Sequence, residues 1–223
     1  MTTELSLSGV LPAALYSAVL ERLSSFSEAG SSFALDEEVF ARSGAAVDGA
    51  DTLGNSAGQY LRVKALRLKS EGGGTARWSI QVNQRPEPPR TAPRALQYGV
   101  VEFALEDGSD PRVLASAMGF SQPVFKTVQR GVRFRRGQVV VDVFQLFESS
   151  TSSTPLDPSS HIVQTSIRFS SSPSSSRNQP PGQPPQQQAQ GGVSSQEARD
   201  AALAAIEGVA GLLKGLVDLA RVD

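Results

Sequence analysis

The chain of 223 residues is 39% apolar and 19% charged, below the roughly 45–50% and about 25% of an ordinary globular protein; Ser, Gln, 20 Gly and 14 Pro fill the gap. With 21 Lys and Arg against 22 acids, a net charge of -1, no Cys and one His, the composition excludes a disulfide framework, thiolate or multi-histidine metal sites, a cysteine nucleophile and a whole-chain electrostatic pull toward nucleic acid or anionic membrane. No signal-peptide pattern and no uncharged apolar run of about 18 residues is found, so one domain plus a tail is expected, soluble in a reducing compartment such as cytosol or nucleus.

Leu5 and Leu7 alternate with Glu4, Ser6 and Ser8, the period of a half-buried strand. A helix follows, with Pro12 in its first turn, Ser17, Glu21, Ser24, Ser25 and Glu28 on one narrow polar face, and Gly30 at its end. The remaining arc is wider than one core contact requires. It is buried either by the chain's own domain or by another chain, and Tyr16, Val19, Leu20 and Leu23 are the candidate partner-binding residues. An Ala/Gly/Asp-rich loop near 44–58 comes next.

Further strands are expected at 33–41, 60–69, 78–83, 97–105, 125–134, 138–148 and 162–170. A short helix from Pro111 to Met118 is closed by Gly119, and Arg135-Arg136-Gly137 reads as a hairpin turn with Gly at positive φ. Strands joined mainly by turns argue for an antiparallel sheet. Val139, Val140, Val141, Val143, Phe144, Leu146 and Phe147 make one strand apolar on both faces. The expected fold is therefore mainly β, α+β by helix content: a closed antiparallel barrel of about eight strands, which removes exposed edges.

Residues 1–169 form the barrel domain, with flexible loops near 44–58 and 149–160. Residues 170–195, rich in Ser, Pro and Gln, read as a disordered linker, although Pro181 and Pro184 have P-x-x-P spacing. Residues 196–223 carry an amphipathic docking helix running to about Ala220, opened by Ser194-x-x-Glu197. Gly208, Gly211 and Gly215 make it dependent on tertiary contact with the barrel or a partner.

Candidate chemistry is sparse. Gly54-Asn55-Ser56-Ala57-Gly58 matches G-x-S-x-G, but a loop precedes it and a strand follows, the reverse of a nucleophile elbow, and His161 is its one available base. Gly72-Gly73-Gly74-Thr75 lacks the Lys and helix of a phosphate loop. Arg62, Lys64, Arg67 and Lys69, then Lys126, Arg130, Arg133, Arg135 and Arg136, gather along strands, read as solvated faces; the alternative is a tunnel-type triphosphate phosphohydrolase with a basic barrel interior. That chemistry needs carboxylates at i, i+2, whereas Glu37 and Glu38 are adjacent, Glu4 lacks a second acid, and Glu102 with Glu106 form a single pair. Trp78 reads as a core anchor. No catalytic, cofactor-binding or metal-ligating residue is assigned.

Glu4-Leu5-Ser6-Leu7-Ser8-Gly9, the 33–40 segment FALDEEVF, Trp78 followed by Arg85-Pro86-Glu87, and Met118-Gly119-Phe120 leading to Phe125, Gly131, Phe134, Arg135, Arg136 and Gly137 occur in an order that resembles the Mediator complex subunit 18 family. The closing Leu216-Val217-Asp218-Leu219-Ala220-Arg221-Val222-Asp223 is similar to that family's C-terminal end. The resemblance implies a nuclear, non-enzymatic coactivator subunit of the Mediator head module, linking transcription regulators to RNA polymerase II. It also implies an antiparallel barrel that pairs with Mediator subunit 20 as a heterodimer and receives a C-terminal helix of Mediator subunit 8. Neither a cofactor, a membrane nor direct sequence-specific nucleic-acid binding is implied.

Overall fold

Eight strands close on themselves in the computed structural model, which describes residues 2–42, 60–68, 76–106, 109–170 and 195–222. They are β1 (Thr2–Pro12), β2 (Ala29–Ala41), β3 (Tyr60–Leu68), β4 (Arg77–Asn83), β5 (Leu96–Ala104), β6 (Gln122–Arg136), β7 (Val139–Phe147) and β8 (Ser160–Ser170). The order around the barrel is β1-β5-β4-β3-β2-β6-β7-β8, every neighbouring pair antiparallel. Because β1 pairs with both β5 and β8, this sheet has no free edge. The helices are α1 (Tyr16–Phe26), α2 (Pro111–Ala117) and α3 (Ser195–Leu213). None among the described residues is long and apolar enough to cross a membrane.

Register sorts the side chains into two sets, because residues directly opposite each other share a face. Glu4, Ser6 and Ser8 stand opposite Arg168, Ser166 and Gln164 and belong to the lumen face, while Leu5, Leu7 and Gly9 stand opposite Ile167, Thr165 and Val163 on the outside. The apolar stripe thus faces outward and needs cover. α3 supplies it, packing on β8, β1 and α1; Ala202, Ile206, Val209 and Leu213 join Leu5, Leu7, Leu11, Val141, Val143 and Val163 in one buried cluster. On another side α2 packs on β3 and β4, and Ala115 and Phe120 join Phe40, Leu61, Val63 and Ile80 in a second cluster.

Local sequence explains the element ends. The Asp110 side chain accepts the Arg112 N–H at 2.9 Å, Pro111 opens α2, and Gly119 at φ 87° closes it. Gly137, at φ 55°, makes the β6–β7 turn as expected. Gly215 takes φ 86° two residues past α3. The chain then runs back along β1, where Ser8 N donates to Ala220 O at 2.9 Å and Ala220 N to Ser8 O at 3.0 Å. Gly9 is required there, since a Cβ would enter the Asp218 carbonyl oxygen.

Several local expectations are corrected. β1 is not half-exposed: Thr3 through Leu7 are all buried, one face by the lumen and the other by α3. Pro12 ends β1 instead of opening a helix, a 3-10 turn (Ala13–Leu15) intervenes, and α1 stops at Phe26 because Ser27 is extended. Gly30 lies inside β2, where a Cβ would crowd the Phe134 ring at 3.1 Å. α3 ends at Leu213, well short of Ala220, the Gly215 conformation being incompatible with a continuing helix. The expected loop at 44–58 and the P-x-x-P stretch lie outside the described residues, as does the 170–195 linker apart from its two end residues. Within the 149–160 connection, Ser152 O accepts Arg130 Nη1 at 2.7 Å, and Asp157 Oδ1 accepts Ser159 N at 2.9 Å.

Candidate functional site

The four residues expected to meet a partner lie on α1, but they divide. Val19 and Leu23 have no exposed surface, being members of the same buried cluster as Ile206 and Leu213 of α3. Part of the surplus apolar arc of α1 is therefore covered from within the chain. Tyr16 and Leu20 stay half-buried at the margin of the cluster. The Tyr16 ring stacks on His161, with centroids 4.2 Å apart and planes 20° from parallel. Burial pushes the Tyr16 phenol up and the His161 imidazole down, disfavouring the charged form of each. Ser56, for which it was the one available base, lies outside the described residues, as do the glycines at 72–74.

The more elaborate site is the lumen, a cavity of about 780 Å³. Its lining carries four carboxylates, Glu4, Glu37, Glu102 and Asp142, and six cations, Arg62, Lys64, Arg77, Arg133, Arg135 and Arg168. Arg62 Nη1 bonds Glu37 Oε1 at 2.7 Å, and Lys64 Nζ lies 3.9 Å from that same oxygen. Arg168 Nε bonds Glu4 Oε2 at 2.6 Å while its Nη1 reaches Glu102. Tyr98 donates its hydroxyl to Glu4 Oε1 at 2.5 Å, and Ser79 donates to Glu102 Oε1 at 2.7 Å. Arg133 grips Asp142 with two bonds of 2.7 Å and lies over the Phe33 ring at 4.9 Å.

These contacts set the titration behaviour. Burial alone would raise Glu37, yet the charges of Lys64 and Arg62 and the Arg62 hydrogen bond bring its carboxyl below the usual range. Burial likewise works against Glu102, but the hydrogen bond it accepts from Ser79, together with the charge and hydrogen bond of Arg168, brings its carboxyl below the usual range. Tyr98 is pushed far up by burial and by the adjacent Glu4, so it stays a neutral donor. Burial lowers Lys64, and its attraction to Glu37 and Glu4 restores only part of that.

Each lumen carboxylate is thus already engaged by a guanidinium. Their i±2 neighbours are not acids: Leu35 and Val39 flank Glu37, Thr2 and Ser6 flank Glu4, and Val100 and Ala104 flank Glu102. Glu38 faces outward to Arg112 at 2.9 Å, and Glu106 lies beyond the end of β5. Among the described residues no group of three or more His, Asp or Glu could hold a metal ion.

The reading of the strand cations as solvated faces is corrected for part of the set. Arg62, Lys64 and Arg133 line the lumen half-buried, while Arg135 lines its rim and stays exposed as expected; Arg67 pairs outward with Asp36 at 2.7 Å, Arg130 covers Phe147 and Arg136 covers Phe26. Lys69 lies outside the described residues. The two-residue spacings Arg62/Lys64 and Arg133/Arg135 were the available signal, since each puts both cations on one face. Asp142 and Arg168 were missed because each is a single charge in an apolar or neutral strand. Trp78 packs outside, against the α2 cluster.

A family model described as Med18 protein matches residues 53–174. No curated protein matches the sequence. Among solved structures, the chain is similar to one in the Schizosaccharomyces pombe Mediator head module, with 18% identity and a TM-score of 0.65, over 99% of this chain and 98% of that one. It is also similar to the PH1819 protein from Pyrococcus horikoshii OT3, with 11% identity and a TM-score of 0.59, over 99% of this chain and 94% of that one. At such identities the likeness is one of fold.

Proposed function

The chain belongs to the Med18 family, and on that premise we propose that it is a non-enzymatic interaction subunit of the Mediator head module, a nuclear coactivator component linking regulators to RNA polymerase II. The observation that carries this reading is the fold likeness to a chain of the S. pombe head module over almost the whole length of both. The lumen is consistent with it, since its carboxylates are tied to guanidinium groups and not arranged as a catalytic pair. In this reading the barrel pairs with Mediator subunit 20 and receives the C-terminal helix of subunit 8. Residues 170–195 then tether the segment 196–223 to the barrel.

Surface for such contacts is present. Val113, Leu114 and Met118, in and just after α2, and Phe103 on β5 are exposed apolar residues, 66%, 40%, 41% and 53% accessible, and Tyr16 and Leu20 line the edge of α1. The test is co-expression with the subunit 20 counterpart, then addition of the subunit 8 C-terminal segment, read by size-exclusion chromatography with light scattering. A one-to-one complex that takes up the segment is expected; a monomer indifferent to both refutes the proposal. Val19→Asp and Leu23→Asp bury a charge in the chain's own core and report on folding. Leu20→Asp and Met118→Asp are the variants that report on a partner.

A further inference from the structure

We propose that the barrel lumen is a binding site for a compact oligo-anion of the polyphosphate class, held without turnover. The inference is separate from complex membership and rests on the charge inside the barrel. Six cations face four carboxylates across one cavity, so its lining carries two positive charges in excess, with the Glu28 carboxylate the nearby acid at the rim, where it accepts Gly137 N at 3.4 Å. Their placement is specific. Arg77 on β4 and Arg135 on β6 stand at lumen positions opposite Leu66 and Val140, both exposed at the rim, and neither side chain forms an ion pair with a described residue. Lys64 lies one inward-facing position deeper than Arg77, opposite Ser79, and its nearest acid oxygen at 3.9 Å is already taken by Arg62 at 2.7 Å.

The same lining includes Gly137 and Gln138, so the cavity extends to the barrel end that carries the β6–β7 turn. An anion entering there meets the Arg77 and Arg135 guanidinium groups first and the Lys64 ammonium further in. A narrow cleft lined by surplus charge of one sign focuses its field on such a ligand. Guanidinium forks match phosphate oxygens two at a time. The volume of about 780 Å³ falls within the roughly 300–1,000 Å³ of small-molecule sites, enough for an oligophosphate and too confined for a nucleic-acid duplex. Turnover is not expected because the four carboxylates that would hold a metal or activate water are committed to Arg62, Arg133 and Arg168.

The test is isothermal titration of the full chain at low ionic strength with inorganic tripolyphosphate, ATP and inorganic phosphate as separate ligands. One equivalent of tripolyphosphate is expected to bind at least about tenfold more tightly than inorganic phosphate, because more oxygens meet charged donors. ATP binding as tightly places the ligand among nucleoside triphosphates; tripolyphosphate binding with ATP rejected places it among inorganic polyphosphates. The Arg77→Gln, Arg135→Gln double variant, whose side chains support no described ion pair, is expected to keep its melting temperature and to bind about tenfold more weakly or worse. Lys126→Gln, on the outside opposite Glu38, leaves binding unchanged. Tripolyphosphate no tighter than phosphate, several equivalents bound per chain, full affinity in the double variant, or magnesium-dependent phosphate release would each overturn the proposal.

Discussion

Truncating Ile206 to Ala should release α3 while leaving most of the barrel folded. Ile206 is fully buried in the cluster between α3 and the outer faces of β1, β7 and β8, where such a truncation costs about 2–5 kcal/mol. The helix has little stability of its own to absorb that loss. Nineteen residues long, it contains Gly208 and Gly211, each costing about 1 kcal/mol relative to Ala, and in proteins most helical stability comes from tertiary packing of the amphipathic face. Beyond the packing of Ala202, Val209 and Leu213 in the same cluster, its attachments include the Arg94–Glu207 pair, Arg22 donating to Leu212 O at 3.0 Å, and Arg199 donating to Thr91 O at 3.3 Å. The weakened equilibrium is therefore local opening of α3. At about 1.4 kcal/mol per tenfold, amide exchange in α3 should accelerate by about 30-fold to several thousandfold. Native-state hydrogen exchange read by mass spectrometry checks this, with peptides from β3, β4 and α2, which pack in the other cluster, keeping their protection. Equal loss of protection in both clusters would show that α3 is not a separable unit, and unchanged exchange in α3 would show that Ile206 does not hold it.

The opposite change is expected from Gly208→Ala and Gly211→Ala, where an added Cβ meets nothing within 4 Å; each should stabilise α3 by about 1 kcal/mol and slow its exchange about fivefold. Gly131→Ala should be severe, because the Cβ would enter the Val143 carbonyl oxygen and lie 2.6 Å from Phe144 Cα across the β6–β7 ladder; urea unfolding should show a loss of about 1–3 kcal/mol or more. Glu37→Gln leaves Arg62 and Lys64 facing each other without their shared carboxylate; about 3 kcal/mol is expected, toward the low end for a broken buried pair because Arg62 is a third exposed. Glu37 and Glu102 have carboxyl groups held below their ordinary range, so the unfolded chain takes up protons first as pH falls. Their contribution is fully present above the ordinary carboxylate pKa of about 4.3 and is lost as pH drops through the lower folded values. Urea midpoints from pH 7 to 2.5 should therefore fall more in the parent chain than in Glu37→Gln, and equal slopes would refute the assignment.

Local elements were legible because their causes are local. Asp110-Pro111 opens α2 and Gly119 closes it, Gly137 turns β6 into β7, and alternation marks the strands of a closed antiparallel barrel. The site was less legible. Arg62/Lys64 and Arg133/Arg135 each announce a shared face, but alternation says that two faces differ, not which one looks inward. In β1, Leu5 and Leu7 read as core and Glu4 and Ser6 as solvent-facing, whereas closure turned the polar set into the lumen and left the apolar set to α3. The wide arc of α1 had the same ambiguity, resolved at Val19 and Leu23 by a helix some 180 residues later in the chain. What the sequence by itself determined was the family, carried by the order of motifs along the chain, and the strand pattern and turns, carried by residues close together in it. Only the tertiary structure decided the charge pairing inside the barrel, because Arg168 meets Glu4 and Glu102 across separations of 164 and 66 residues, and a contact made by ring closure leaves no periodic trace along the chain.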